Sequence, residues 1–244
     1  TLFMMTLFAD SLALFGAASK RPVFRRALLG LGALFAVAAL SGSARLADDG
    51  LTRRAFAMDP TRGTLVAATD SAYGRLALGE MDGQYTLFAD GRPIDVFPDP
   101  WERPVQIHLA LTAHPHPKSA LLVGGGAPDR LAAALSHGLD RVVLTYLDGA
   151  EHVLCAPFLS AETRRAVKDP RVTLVRGDGR RTIETTREKF DAVVIASPPP
   201  RTGRANRYYT AEFFAAVRRA LNPGGIVSLR APGGDNVLAD EAAR

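Results

Sequence analysis

Ser119-Ala-Leu-Leu-Val-Gly-Gly-Gly-Ala127 is the stretch of sequence that decides the fold. Residues 120–123 form a short apolar run, and three glycines follow it directly. A run of this length in front of glycines favours a buried parallel strand over a helix. Glycine accepts positive φ angles and lets a ligand approach the backbone closely. Gly124, Gly125 and Gly126 therefore predict a tight turn that binds a ligand.

The chain beyond these glycines continues the pattern of a nucleotide-binding unit. Residues 130–135 are predicted to start a helix, and residues 141–147 form a second apolar run that ends at Asp148. That acid follows the glycine turn by about twenty residues, the usual spacing for an acid that binds a ribose. Glycine turns also follow strands that bind no ligand, so the pattern by itself leaves that alternative open.

Three further apolar runs, at residues 171–175, 190–195 and 226–229, alternate with stretches of helical character. This alternation predicts an α/β fold with a Rossmann-like doubly wound sheet, as in methyltransferases that use S-adenosylmethionine. Ligands of such sheets bind at the carboxyl ends of the strands. We therefore expect the glycine turn, Asp148, Asp178 and the segment starting at Ala196 to surround one cleft.

A small antiparallel β unit is predicted to precede this sheet. Residues 64–97 contain four short strand-like runs, and Asp82-Gly83 and Asp90-Gly91 lie between them. Asp-Gly is a strong signal for a two-residue hairpin turn. We predict a β domain at residues 46–104 and a nucleoside-binding domain at residues 105–244.

Residues 1–45 are mostly apolar and are predicted to be helical. Residues 27–44 carry no charge and are about long enough to cross a bilayer, whereas Asp10 weakens the case for residues 1–19. Arg25-Arg26 in front of the apolar run also resembles a twin-arginine export signal, and a buried soluble helix is a third interpretation. We favour the end of a membrane bundle.

Composition argues against several other classes of protein. The formal net charge is +5, but the arginines are scattered without interleaved aromatic residues, so we expect no nucleic-acid partner. Cys155 is the single cysteine and excludes an internal disulfide. His114 and His116 have no third ligand nearby in the sequence, so we predict no metal site. Because the chain begins at Thr1, we expect it to be part of a longer protein.

Several short motifs occur in a characteristic order between about residue 64 and residue 236. They are Ser71-Ala-Tyr-Gly-Arg75, Leu121-Leu-Val-Gly-Gly-Gly126, Asp169-Pro-Arg-Val172, Gly177-Asp-Gly179, Arg207-Tyr-Tyr-Thr-Ala-Glu-Phe-Phe214 and Leu221-Asn-Pro-Gly-Gly225. In order and spacing, the chain resembles the spermidine synthase family, and in particular its bacterial membrane-attached relatives.

The resemblance implies transfer of an aminopropyl group from decarboxylated S-adenosylmethionine to a polyamine, with no tightly bound cofactor. It also implies a bacterial inner-membrane location, with the side of the soluble domain undetermined, and a possible homodimer through the β domain. The residues that it assigns to the nucleoside are Gly124, Gly125, Gly126, Tyr146, Asp148, Asp178, Gly179 and Ser197.

The catalytic residue implied by the resemblance is missing from this chain. The family's general-base Asp falls on Ala196, and its ribose-binding Glu falls on Tyr146. Alanine cannot accept the proton of an attacking amine. We therefore expect weak or absent polyamine synthesis. A non-catalytic member of the fold and a methyltransferase-like enzyme remain alternatives, because a fold does not fix a function.

Overall fold

The computed structural model of the chain describes residues 2–18, 22–40, 43–99, 102–124, 128–196 and 206–229. Its contacts divide the chain into two compact units, Thr1–Ala68 and Thr69–Arg244. The division lies inside strand β1, Thr64–Ser71. The domain boundaries expected after residues 45 and 104 stay predictions.

The first unit is helical before it reaches β1. It contains α1 at Leu2–Ala18, α2 at Pro22–Leu40 and α3 at Ser43–Met58, followed by a 3-10 turn at Pro60–Arg62. Helices α1 and α2 pack so closely that a Cβ on Gly32 would lie 3.2 Å from the carbonyl oxygen of Ala9. The rings of Phe8 and Phe35 meet edge to face at 5.4 Å.

The prediction of one apolar helix at residues 27–44 is wrong in its extent. Helix α2 begins five residues earlier, at Pro22, and Ser43 already belongs to α3. Proline suits a first helical position, because the amide hydrogen that it lacks would have no partner there. Within the described ranges, no helix is long and apolar enough to cross a membrane. The predicted membrane spans therefore find no support.

Four strands form the β unit, in the order β1-β2-β3-β4. They are β1, β2 at Gly74–Met81, β3 at Gln84–Ala89 and β4 at Arg92–Phe97. Strand β3 pairs antiparallel with both β2 and β4. Asp82 and Gly83 have φ angles of 53° and 79°, and Asp90 and Gly91 have 49° and 76°. Positive φ at both central residues is what a tight hairpin turn needs, so both predicted hairpins are confirmed.

The remaining elements alternate between helix and strand. They are α4 at Glu102–Thr112, β5 at Ser119–Val123, α5 at Arg130–Leu135, β6 at Arg141–Tyr146, α6 at Gly149–Cys155, a 3-10 turn at Ala156–Phe158, α7 at Ala161–Val167, β7 at Val172–Arg176, α8 at Gly179–Thr185, β8 at Phe190–Ile195, α9 at Ala211–Ala220 and β9 at Leu221–Leu229.

Five of these strands form one sheet in the order β7-β6-β5-β8-β9, and every pairing in it is parallel. The predicted doubly wound sheet is confirmed. The chain starts at the central strand, β5, moves outward to β7, and then returns to the other side of β5 with β8. The strand order thus reverses between β5 and β8, which is where such sheets open a ligand crevice.

Both faces of the sheet are covered. Leu122 points into a core shared with α4, α5 and α7, and its neighbour Leu121 points into a second core shared with α8 and α9. Alternate residues of a strand face opposite sides, so a strand covered on both faces must be apolar throughout. Residues 120–123 are at most 1% exposed. Phe213 of α9 is fully buried, and its burial contributes about 2–3 kcal/mol.

The segment Asn222-Pro-Gly-Gly225 differs from its prediction as a turn that precedes a strand. It lies within β9, between Leu221, which pairs with Phe190, and Ile226, which pairs with Ala192. The extra residues of β9 are accommodated by an irregularity in the pairing, and Gly224 has a φ angle of 77°. Proline and glycine are the residues expected at such a bulge, which explains why the sequence signal resembles a turn.

Asp191 fixes the amino ends of β5, β8 and β9. Its buried carboxylate accepts hydrogen bonds from the backbone amides of Lys118 and Ser119, at 2.8 and 2.9 Å, and from Asn222 Nδ2 at 2.7 Å. Burial alone would raise the pKa of Asp191, but the hydrogen bonds from Asn222 and these amides outweigh it and lower the pKa.

We expect Asp191→Ala to lower the free energy of unfolding by about 3 kcal/mol at pH 7, because it leaves buried donors without an acceptor. A carboxyl whose pKa is lowered by folding stabilises the folded state above its unfolded pKa and loses that effect as the pH falls. The difference between the variant and the unmodified chain should therefore shrink below pH 3.8, the ordinary value for this group. Urea unfolding of both proteins at pH 7 and at a pH below 3.8 measures this difference in the free energy of unfolding.

Asp140→Ala is the matched control. Its side chain is 73% exposed and lies 3.8 Å from the Lys118 ammonium, so its removal should change stability by less than about 0.5 kcal/mol. Equal losses from the two variants would contradict the role assigned to Asp191.

Candidate nucleoside site

The carboxyl ends of β5, β6, β7 and β8 meet at one edge of the sheet, because all four strands are parallel. Gly124 follows β5, Asp148 follows β6, Asp178 follows β7 and Ala196 follows β8. The sheet therefore brings four of the sequence-predicted positions to one edge. Gly125, Gly126 and Ser197 were also predicted to belong to the site, and they lie outside the described residues.

Gly124 touches the end of the neighbouring strand. Its φ angle is 124°, and a Cβ at this position would lie 2.7 Å from the carbonyl oxygen of Ala196. The Ala196 amide donates a hydrogen bond of 2.8 Å to the Val123 carbonyl. A side chain at position 124 would be excluded both by the backbone conformation and by this contact. The first glycine of the turn is thus required by the sheet itself.

Asp148 is the acid that follows the second strand of the sheet. Its residue is 5% exposed, and its Oδ1 accepts a hydrogen bond of 2.9 Å from the amide of Ala150, which caps α6. Within the described residues, Oδ2 has no hydrogen-bond partner. An unpaired buried carboxylate oxygen is costly, so Oδ2 is an acceptor that a ligand could satisfy.

Tyr146, where the resemblance places the family's ribose-binding Glu, is the last residue of β6. Its ring stacks on the imidazole of His152 in α6, with centroids 5.4 Å apart and planes 26° apart. Burial lowers the pKa of His152, so this imidazole is neutral at pH 7. Tyr146 therefore places an aromatic ring and a hydroxyl at this position, and no carboxylate.

Asp178 caps α8 and carries an ion pair. Its Oδ1 accepts a hydrogen bond of 2.9 Å from the amide of Arg180, and its Oδ2 is paired with Arg207. The hydroxyl of Tyr208 lies 3.5 Å from Oδ1. The charge of this carboxylate is thus compensated by the chain itself.

Arg207 and Tyr208 come from the segment in front of α9, about thirty residues beyond Asp178. The Arg207 guanidinium lies 4.9 Å from the centre of the Tyr208 ring and donates a hydrogen bond of 3.0 Å to its hydroxyl. Burial lowers the pKa of Arg207, but the interactions with Tyr208 and Asp178 outweigh it and raise the pKa. Burial raises the pKa of Tyr208. At pH 7 the guanidinium is charged and the phenol is neutral.

Two contributions to this edge were not predicted from the sequence. One is the Arg207 side chain, although it stands at the start of a motif that we had identified. The other is Gln106 of α4, whose Nε2 donates a hydrogen bond of 3.3 Å to the carbonyl of Ile195, next to Ala196. Charge complementarity between Asp178 and Arg207 is present in the sequence, but nothing local marks them as partners.

The motif Asp169-Pro-Arg-Val172 has a structural role. Asp169 accepts hydrogen bonds from the Arg171 guanidinium at 2.9 and 2.8 Å, and Arg171 also donates one of 3.2 Å to the Leu139 carbonyl. The side-chain hydrogen bond from Arg171 is the main reason why the pKa of Asp169 falls to about 2. This pair lies at the amino end of β7, at the opposite edge of the sheet from the cleft.

Histidines do not form a metal centre within the described ranges, where no group of three potential metal-binding side chains is found. His108 of α4 and His137 after α5 contact each other, with Nδ1 and Nε2 2.7 Å apart. This distance is that of a hydrogen bond between two rings.

The strand order defines a doubly wound α/β fold. The model of the spermine/spermidine synthase domain matches residues 104–242, which is more than half of the chain. The chain therefore belongs to the spermine/spermidine synthase domain family. Its membership of a membrane-attached branch stays a prediction.

Curated relatives are polyamine aminopropyltransferases. The polyamine aminopropyltransferase 2 of Hyperthermus butylicus is 30% identical over 171 residues, 68% of this chain and 56% of that protein. The enzyme of Nitrosomonas europaea is 38% identical over 124 residues, 50% of this chain and 38% of that protein. The chain thus spans about half, or less, of the length of these relatives.

Solved structures show the same fold. A spermidine synthase in complex with the transition state analogue AdoDATO is 25% identical, has a TM-score of 0.60, and covers 67% of this chain and 56% of its own. The spermidine synthase from Thermotoga maritima has a TM-score of 0.56 at 23% identity and covers 67% and 54%.

Gly179 provides a test of the geometry around Asp178. A Cβ on Gly179 would lie 2.5 Å from Cγ1 of the buried Val123 and 3.0 Å from Oγ1 of Thr145. We expect Gly179→Ala to lower the free energy of unfolding by about 1–3 kcal/mol, because these side chains cannot move away. Thermal or urea unfolding of the variant measures this loss.

Gly177→Ala is the matched control on the other side of Asp178, because a Cβ on Gly177 would have no atom within 4 Å. It should leave stability unchanged within about 0.5 kcal/mol. If Gly177→Ala lowers the free energy of unfolding as much as Gly179→Ala does, the loss does not come from contact with Val123.

Proposed function

We propose that the cleft binds an adenosyl ligand, and that the chain is a spermidine synthase-like protein with weak or absent polyamine synthesis. The ligand is decarboxylated S-adenosylmethionine or a related nucleoside. The observation that carries this proposal is Ala196 at the carboxyl end of β8, beside the glycine turn. Family membership and the AdoDATO complex of a similar spermidine synthase support the ligand class.

Aminopropyl transfer needs a base beside the attacking amine. The lone pair of the amine nitrogen forms a bond to the carbon next to the sulfonium, while the carbon–sulfur bond breaks and its electron pair returns to sulfur. The nitrogen must also lose a proton, and a carboxylate both holds the cation and accepts that proton. Ala196 can do neither. Losing such transition-state interactions costs many orders of magnitude in rate.

The acids that follow β6 and β7 at this edge bind parts of their own chain. Asp178 is paired with Arg207 and caps α8, so it offers a substrate cation no uncompensated charge. Asp148 uses Oδ1 to cap α6. Only Oδ2 of Asp148 is left without a hydrogen bond within the described part of the chain. That oxygen favours recognition of a neutral donor, such as a ribose hydroxyl.

This feature of Asp148 also supports the alternative functions. An acceptor after the second strand is what any adenosyl ligand would use for its ribose. A methyltransferase-like enzyme or a non-catalytic nucleoside-binding protein would therefore keep Asp148 and would not require an acid at Ala196. An assay of putrescine conversion distinguishes these alternatives from polyamine synthesis, because neither of them forms spermidine.

Calorimetry of the unmodified chain tests the ligand class. We expect binding of decarboxylated S-adenosylmethionine and of methylthioadenosine, and weaker binding after Asp148→Ala, because Oδ2 would no longer accept a hydrogen bond. A loss of about tenfold in affinity is expected for one hydrogen bond to a charged group. No heat from either nucleoside at millimolar concentration would contradict the proposal.

Turnover of decarboxylated S-adenosylmethionine with putrescine tests the catalytic part. We expect the unmodified chain and Ala196→Asp to stay near background, because Tyr146 still replaces the ribose-binding Glu. The double variant Ala196→Asp with Tyr146→Glu should form spermidine at least about tenfold faster, since it regains a base and a ribose acceptor.

The double variant Ala196→Asn with Tyr146→Glu is the matched control, because Asn has the shape of Asp but cannot accept the proton. Equal rates for the Asp and Asn forms would show that a base at position 196 is not what limits the reaction. Rapid spermidine formation by the unmodified chain would overturn the proposal of weak activity.

Three earlier expectations stay predictions. They are attachment to the bacterial inner membrane, a homodimer through the β domain, and a polyamine as the second substrate. The uncharged run at residues 27–44 is still the reason for the first, and no further support is drawn from the helices.

A further inference from the structure

The resemblance to the spermidine synthase family assigns Asp178 to the adenine amino group. The ion pair between Asp178 and Arg207 therefore lies where the proposed ligand would place its base. The side chains of Arg207 and Asp178 are 30% and 29% exposed, so solvent screens their charges only in part. Arg207 also lies against the ring and hydroxyl of Tyr208. Its Nε is buried and has no hydrogen-bond partner within the described residues. One donor of this guanidinium is therefore unused.

Residues 207–210 are attached to α8 by hydrogen bonds that do not involve the Arg207 guanidinium. Nη1 of Arg180 donates a hydrogen bond of 2.6 Å to the backbone carbonyl of Arg207 and lies 3.5 Å from Oγ1 of Thr210. The same Arg180 pairs with Glu184 at 2.7 Å. These bonds fix residues 207–210 against α8 whatever side chain stands at position 207. A purely structural role for the Arg207 side chain is thus redundant.

The ion pair between Asp178 and Arg207 changes which hydrogen-bonding groups the protein would offer to the edge of a purine base. Asp178 alone offers hydrogen-bond acceptors, which suit the 6-amino group of adenine. With Arg207 bound to Oδ2, the same place offers a cationic donor, which suits the 6-oxo group of hypoxanthine or guanine. A donor facing another donor leaves both unpaired, which costs free energy in a site shielded from water.

We propose that Arg207 is a specificity-determining residue, and that it removes the preference of this cleft for adenine over 6-oxo purines. This inference rests on the proposed binding of a nucleoside at the carboxyl edge of the sheet. In the unmodified chain, 6-oxo purine nucleosides bind at least as tightly as adenine nucleosides. Without the guanidinium, Asp178 becomes a free acceptor and selects the 6-amino group.

Calorimetry with two probes that differ only at C6 tests this proposal: 5′-methylthioadenosine and 5′-methylthioinosine. The proteins are the unmodified chain, Arg207→Leu, which removes the charge, and Arg207→Lys, which keeps a cation. Arg181→Leu is the matched control, because Arg181 is an exposed arginine of α8 next to Arg180. Each protein is measured with both probes, so that the ratio of the two Kd values cancels general effects on folding.

The unmodified chain, Arg207→Lys and Arg181→Leu should bind methylthioinosine as tightly as methylthioadenosine or more tightly. Arg207→Leu should prefer methylthioadenosine by tenfold or more, the range expected for one hydrogen bond to a charged group. The double variant Arg207→Leu with Asp178→Asn should lose that preference, because an amide whose oxygen caps α8 presents its NH₂ group, a donor, to the group at C6.

Two results would overturn the inference. If the unmodified chain binds the probes and Arg207→Leu leaves the ratio of their Kd values unchanged, Arg207 does not determine specificity, although nucleoside binding stands. If none of the proteins binds either probe, both the proposed function and this inference fail.

Discussion

The parallel pairing of β5 between β6 and β8 is the constraint on which the rest of the structure depends. Residues 120–123 are covered on both faces, so each must be apolar, and their backbone groups must be paired on both sides. Parallel strands need crossover helices, and these helices supply the two cores. All strands then end at one edge, and the site exists because of that common direction.

Close approach at this edge also dictates which residues can stand there. Gly124 must lack a side chain because the carbonyl of Ala196 lies where a Cβ would be. Gly179 lies against Val123 and Thr145 in the same way. Gly124 and Gly179 are therefore needed for packing, whether or not a ligand is bound. A chain could therefore retain the family's scaffold without the catalytic carboxylate, whose position we expect Ala196 to occupy.

The carboxylates of Asp148 and Asp178 at this edge stabilise the fold, whether or not a ligand is bound. Asp148 and Asp178 each cap the helix that follows their strand, which satisfies amide hydrogens that would otherwise lack partners. The capping oxygen of each acid is thereby committed to the backbone. The two acids differ in their second oxygen. Oδ2 of Asp178 is paired with Arg207, whereas Oδ2 of Asp148 has no hydrogen bond in the described part of the chain. The two acids therefore differ in the acceptor oxygens that they leave to a ligand.

The sequence by itself determined the sheet, the two hairpins and the residues that follow the strands at its carboxyl edge. These features depend on local signals: apolar runs, Asp-Gly pairs, and glycines behind a strand. Element ends were less accurate, as the helix that begins at Pro22 and the irregular start of β9 show. Packing against neighbours, rather than local propensity, decides where such elements stop.

Only the tertiary structure decided the electrostatics of the site. Asp178 and Arg207 are about thirty residues apart, and Gln106 reaches the end of β8 from a helix that precedes the whole sheet. No periodicity links such residues, because they come together only when distant segments pack on one sheet edge. The sequence therefore indicated which carboxylates follow the strands at this edge, while the folded chain decided which of their oxygens are already bound.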